Sequence, residues 1–121
     1  MMRRKTGEEP VAATNHARAI SLNEHLEKIA HVARSLSDEN RLRILLRVST
    51  EKKSVNRVAE EVGLSQALVS HHLRELRRSL LVTVERSGAF VYYEMADQRT
   101  LGILDELNVL ATDLLAARTA F

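Results

Sequence analysis

The side chains best suited to chemistry lie in one stretch, from Ser65 to Leu80. Leu68, Val69, Leu73, Leu76 and Leu80 recur at helical spacing and predict an inner face, with Ser65 as the cap. The opposite face then carries Gln66, Ser70, His71 and Arg74, with Arg77 and Arg78 further along. A glutamine amide can pair with adenine through two hydrogen bonds, an arginine with guanine, and serine or histidine with bases or phosphate. Such a face has the chemistry to read the major groove of a DNA duplex. The bland alternative is a solvated helix face.

Other chemistries find little support. There is no glycine-rich phosphate loop, no hydrolase-like Ser-His-Asp spacing and no carboxylate pair with a partner motif, so no catalytic residue and no cofactor is expected. The chain has no cysteine, which excludes disulfides, thiolate metal sites and cysteine nucleophiles. The histidines are His16, His25, His31, His71 and His72. His25 and His31 fall on different helix faces and form no local chelate; a site shared between two copies by His16, His25 or His31 stays open. His72 is expected to pack against a neighbouring helix and His71 to face outward.

The elements that must position this face follow from periodicity. The 121 residues fit one domain, and the 3% aromatic content favours a core of Leu, Val, Ile and Ala. Residues 1–19 read as a flexible arm or a weakly ordered helix, and 20–118 as the folded domain. A first helix is expected near Ser21, where Ser21 and Glu24 have capping-box spacing and Leu22, Leu26, Ile29, Ala33 and Leu36 follow as a stripe. Ser37 is expected to cap a second helix with Leu42, Leu45 and Leu46 inward and Ile44 and Val48 on its flanks. A short third helix, Ser54 to Val62, ends at Gly63 in the manner of a C-terminal glycine. Only Gly63 and Leu64 separate it from the helix capped by Ser65, which makes a helix-turn-helix.

From Leu81 the period becomes two: Val82 and Val84 alternate with polar residues, Ser87-Gly88-Ala89 turns the chain, and Phe90-Val91-Tyr92-Tyr93 returns. A last helix, about Asp97 to Ala117, carries leucines around so much of its circumference that a small domain cannot bury them all, which implies another subunit. The fold class is therefore mainly α with a β-hairpin wing, a winged helix-turn-helix ordered as four helices, a hairpin and a final helix.

Net charge is only +2, so the distribution matters more than the total. The stretch from Lys52 to Arg86 holds a modest cationic excess compatible with phosphate contacts. No apolar run approaches the roughly 20 residues that a membrane span needs, and the N-terminus lacks a signal-peptide core. A cytoplasmic protein with no membrane partner is expected.

Three stretches together, SLSDENRLRILL, VAEEVGLSQALVSHHLREL and VYYEM, resemble the ArsR/SmtB family of bacterial repressors over roughly Glu24 to Leu115. The resemblance implies a homodimer built from the first and last helices that binds double-stranded DNA at a palindromic operator. Two recognition helices would enter successive major grooves about 34 Å apart. The implied DNA contacts are Ser65, Gln66, Ser70, His71, Arg74, Arg77, Arg78 and, on the wing, Arg86. The implied dimer residues are Leu22, Leu26, Ile29, Leu104, Leu107, Leu110 and Leu114.

The departures from the family concern its inducers. Where metal-sensing relatives carry Cys-Val-Cys, this chain has Ser54-Val55-Asn56. The second familiar metal site falls on Asp97, Arg99, Leu110 and Asp113, and an arginine and a leucine cannot ligate zinc. No metal ligand is assigned. Arg99 is expected to pair with Asp113 or Asp97 of the partner subunit, and the inducer, if there is one, is unknown and uses no thiol. Leu80 stands where the family has a glycine after the recognition helix. The rival function is a dimeric winged-helix protein-interaction module with weak or lost DNA binding.

Overall fold

The computed structural model describes residues 11–119. They divide into two compact units, one ending at Arg34 and one beginning at Ser35.

The first unit contains α1 (Val11–Asn23) and α2 (Leu26–Ser35) up to Arg34. Helix therefore starts ten residues before the expected Ser21. Ala12, Ala13, Ala17 and Ala19 explain it, since alanine has the highest helix propensity. Ser21 lies inside α1 rather than at a cap, and the stripe from Leu22 to Leu36 is interrupted at Glu24 and His25. There the backbone tightens through Glu24 N–H to Ser21 C=O (3.4 Å) and His25 N–H to Leu22 C=O (2.8 Å). The part of the expected arm before Val11 lies outside the described residues.

The second unit runs α3 (Glu39–Thr50), β1 (Lys53–Ser54), α4 (Val55–Val62), α5 (Gln66–Arg78), β2 (Val82–Ser87), β3 (Phe90–Met95) and α6 (Arg99–Thr119). Asp38, not Ser37, caps α3: its Oδ1 accepts the Arg41 N–H at 3.0 Å. That backbone hydrogen bond holds the Asp38 carboxyl below the usual carboxylate range. Aspartate serves better than serine here because its charge also faces the positive end of the helix dipole.

The core is formed by Ile44, Leu45 and Val48 of α3, Val58 and Ala59 of α4, Val69, Leu73 and Leu76 of α5, and Val82, Tyr93 and Met95 of the sheet. The inner face of α3 is thus rotated from the expected one: Leu46 is exposed while Ile44 and Val48 are buried. Both sets have helical spacing, so burial against α4 and α5 decides between them.

β2 and β3 form the expected hairpin, registered Val82↔Met95, Val84↔Tyr93 and Ser87↔Phe90 around a two-residue Gly88-Ala89 turn. Gly88 takes the positive φ of 62° that a hairpin turn of this length requires. The two-residue strand β1 was not expected. It adds to the outer edge of β3 through Lys53↔Tyr93 and Ser54↔Tyr92, giving an antiparallel sheet ordered β1-β3-β2.

α6 is anchored at its start, where Thr100 is buried and the Gln98 side chain donates to the Ser49 carbonyl at 3.0 Å. Beyond it, Leu101 and Leu104 are half-buried while Leu107, Leu110 and Leu114 are exposed. Leu22, Leu26 and Ile29 of the first unit are exposed as well.

Candidate nucleic-acid interface

The interface is built around α5. Gly63 ends α4 in the left-handed conformation (φ 72°), with its N–H on the Ala59 carbonyl at 2.9 Å. This left-handed cap turns the chain within two residues to Ser65, whose hydroxyl oxygen accepts the Leu68 N–H at 3.1 Å. Ser65 is therefore a capping residue first; its hydroxyl proton remains able to donate to a phosphate.

Val69, His72, Leu73 and Leu76 form the buried side of α5. At about 100° per residue, the opposite side is centred on Ala67, His71, Arg74 and Arg78, with Gln66, Ser70 and Arg77 along one flank. All but the half-buried Ser70 are exposed. Leu68 and Leu80, expected inside, are exposed too. Ala67 has no polar atom that would mark it in the sequence. Its position opposite Val69 and Leu73 was the available signal.

Within this face Arg74 donates to the Ser70 hydroxyl at 3.0 Å, which orients the guanidinium along the helix. Arg78 is engaged by Glu75 one turn back, so it is less available than Arg74 or Arg77. Among the described residues, Arg74, Arg77 and Arg86 have no acidic partner. Arg86 sits near the end of β2, opposite Val91 of β3.

The cations flanking α4 behave differently. Lys53, buried in β1, pairs with Glu61 at 2.7 Å, and Arg57 pairs with both Glu51 (2.7 Å) and Glu61 (3.0 Å). The hydrogen bond from Lys53, followed by that from Arg57, pulls the Glu61 carboxyl down. Lys52 pairs with Glu85 across the sheet and lies 5.6 Å from the Tyr92 ring centre.

His72 is buried against this framework, and its Nδ1 has no hydrogen-bond partner. Burial pushes its pKa down, opposed in part by the Asp38 carboxylate. It therefore packs as expected, while His71 is exposed beside it, the ring centres 5.6 Å apart.

α5 ends in a complete Schellman motif: Leu81 N–H bonds the Leu76 carbonyl (2.9 Å) and Leu80 N–H the Arg77 carbonyl (3.0 Å). The left-handed position is Leu80, with φ 66° and 78% exposure. The helix ends where a glycine would end it.

The positions aligned with metal ligands of relatives have other work. The Ser54 hydroxyl caps α4 by accepting the Arg57 N–H at 3.3 Å. Asp97 accepts its own chain's Arg99 backbone N–H (2.9 Å) and guanidinium (2.8 Å), which hold its pKa at about 2. Arg99 thus closes on Asp97 of the same chain. Among the described residues no cluster of His, Asp or Glu is arranged to hold a metal ion.

Residues 38–84 match the family model described as bacterial regulatory protein, arsR family. The HTH-type transcriptional regulator KmtR of Mycobacterium tuberculosis is 34% identical over 58% of this chain and 54% of its own length. The nodulation protein NolR of Rhizobium meliloti is 33% identical over 75% of each chain. Among solved structures, the homodimeric winged helix-turn-helix DNA-binding domain of Mb0332 from Mycobacterium bovis superposes with a TM-score of 0.67 at 25% identity, over 76% of this chain and 85% of that one. The matched stretch thus spans from about half to three quarters of the curated relatives' length. A winged helix-turn-helix with α5 as its recognition helix and β2–β3 as its wing, matched over this length by such relatives, places the chain in the ArsR family of bacterial regulatory proteins.

Proposed function

We propose that the chain is a dimeric, sequence-specific DNA-binding transcriptional repressor that works in the cytoplasm. The observation that carries this reading is the sorting of charge: Lys53 and Arg57 are neutralised by Glu51 and Glu61 around α4, whereas among the described residues Arg74, Arg77 and Arg86 on α5 and the wing have no acidic partner. A phosphate backbone supplies the partners that these arginines lack.

In this reading Gln66, Ser70, His71 and Arg74 face base edges, and Ser65, Arg77, Arg78 and Arg86 hold phosphates. Leu107, Leu110 and Leu114 with the half-buried Leu104 in the second unit, and separately Leu22, Leu26 and Ile29 in the first, are apolar side chains for the association of two copies. Two-fold symmetry then presents two α5 helices to half-sites about one helical turn apart on a palindromic operator. With no cysteine in the chain and Asp97 occupied by Arg99, the signal that releases DNA uses neither a thiol nor a metal at that site.

Selection from a random duplex pool with the full chain, followed by gel retardation at low salt, tests this. The expected result is an enriched two-fold site with half-sites centred about 10 base pairs apart. A pool that yields no enriched sequence and no retarded complex favours a protein-interaction module instead.

A further inference from the structure

The outward face of α5 changes character along its length. Its last two turns carry Arg74, Arg77 and Arg78, but in the first turn, where Gln66 lies on the flank, the centre of the face is apolar: Ala67 is exposed there, and Leu68 beside it is 38% exposed. Neither side chain has a hydrogen-bonding atom. The Ser65 cap fixes this turn and so holds Ala67 at the start of the face. A methyl side chain at that place matches only one group on a base edge in the major groove, the C5-methyl of thymine.

We propose that Ala67 is a specificity residue that reads a thymine methyl group in each half-site. The proposal rests on the DNA-binding reading above and adds to it a position and a base. Thymine at that position is favoured by burial of two methyl groups against each other, while cytosine and the purines offer no methyl group there.

The test removes one methyl group at a time. The operator enriched by the full chain is remade with deoxyuridine replacing each thymine in turn, and affinities are measured for the native chain, Ala67→Gly and Ala67→Ser. One thymine per half-site is expected to lose about fourfold on conversion to deoxyuridine, as loss of one buried methyl group predicts. Ala67→Gly should bind the thymine and deoxyuridine operators equally, and Ala67→Ser, whose hydroxyl faces the methyl group, should discriminate less than the native chain. Ala67→Ser carries the comparison if the glycine variant melts early, since serine is tolerated better than glycine within a helix. Native protein indifferent to every deoxyuridine, or variants that keep the discrimination, would overturn the proposal while leaving DNA binding intact. A pool with no enriched sequence overturns the DNA-binding reading and this proposal together.

Discussion

The two helices of the helix-turn-helix use charge in opposite ways. Around α4, Glu51, Arg57, Glu61 and Lys53 form a continuous chain of ion pairs that ties the short strand β1 to the helix. On α5 and the wing, Arg74, Arg77 and Arg86 are unmatched, and Arg74 is steadied only by a neutral hydroxyl. The difference separates charges that maintain the fold from charges held ready for a partner. Substitutions on the two sides should therefore fail in different assays.

The largest effect is expected at Arg74. Arg74→Ala should lower operator affinity by roughly 5- to 150-fold, the span of one well-placed arginine-to-base contact, with the melting temperature unchanged. Equilibrium anisotropy titrations and thermal melts of the same samples check both halves. The reverse pattern is expected for Lys53→Ala. Removing this buried ammonium opens a space under β1 and leaves Glu61 with Arg57 alone, so the melting temperature should fall by roughly 5 °C. Affinity at a temperature where the variant is folded should stay within about twofold, the level at which an altered phosphate contact could no longer be seen.

A smaller effect is expected where the two helices end. Gly63 and Leu80 adopt nearly the same left-handed backbone, φ 72° and 66°, but only glycine does so without a Cβ penalty. Leu80 is too exposed to regain that cost by packing. Leu80→Gly should therefore stabilise the protein by about 1 kcal/mol in urea denaturation. A destabilised Leu80→Gly would mean that the leucine is held by contacts absent from the protomer.

The smallest effect concerns pH. Burial lowers the His72 pKa in the folded chain, so the unfolded chain binds more protons near the ordinary value of 6.5. Stability from this residue is complete above about pH 6.5 and is lost as pH falls below it. His72→Gln should flatten that part of the stability profile. Urea midpoints between pH 5 and 7.5 for the native chain and this variant check it.

Much of α5 and the hairpin was legible because local signals agreed there. Ser65 caps, Gly63 breaks, and the period shifts from helix to strand after Leu80, all within the reach of neighbouring residues. The inner face of α3 was not legible, because Leu42-Leu45-Leu46 and Ile44-Leu45-Val48 are both helical stripes and only tertiary packing chooses between them. Strand β1 is two residues long and exists through its pairing with Tyr92 and Tyr93, which lie about forty residues away. Arg99 was readable as an ion-pair former, but the Asp97 of its own chain is reached by a local turn at the start of α6. At the site, the polar readers were visible by type. Ala67 was not, since its significance comes only from where the buried face of α5 places it.

The arginines without acidic partners carry the DNA-binding role most directly. The measurement is the salt dependence of binding to the enriched operator, for the native chain and for a variant with Arg74, Arg77 and Arg86 all changed to glutamine. If Arg77 and Arg86 in each of two protomers hold phosphates, the native slope of log affinity against log salt is steeper than the variant's by about four. Equal slopes, with native affinity retained by the variant, would contradict the assignment of α5 and the wing as the DNA-binding surface.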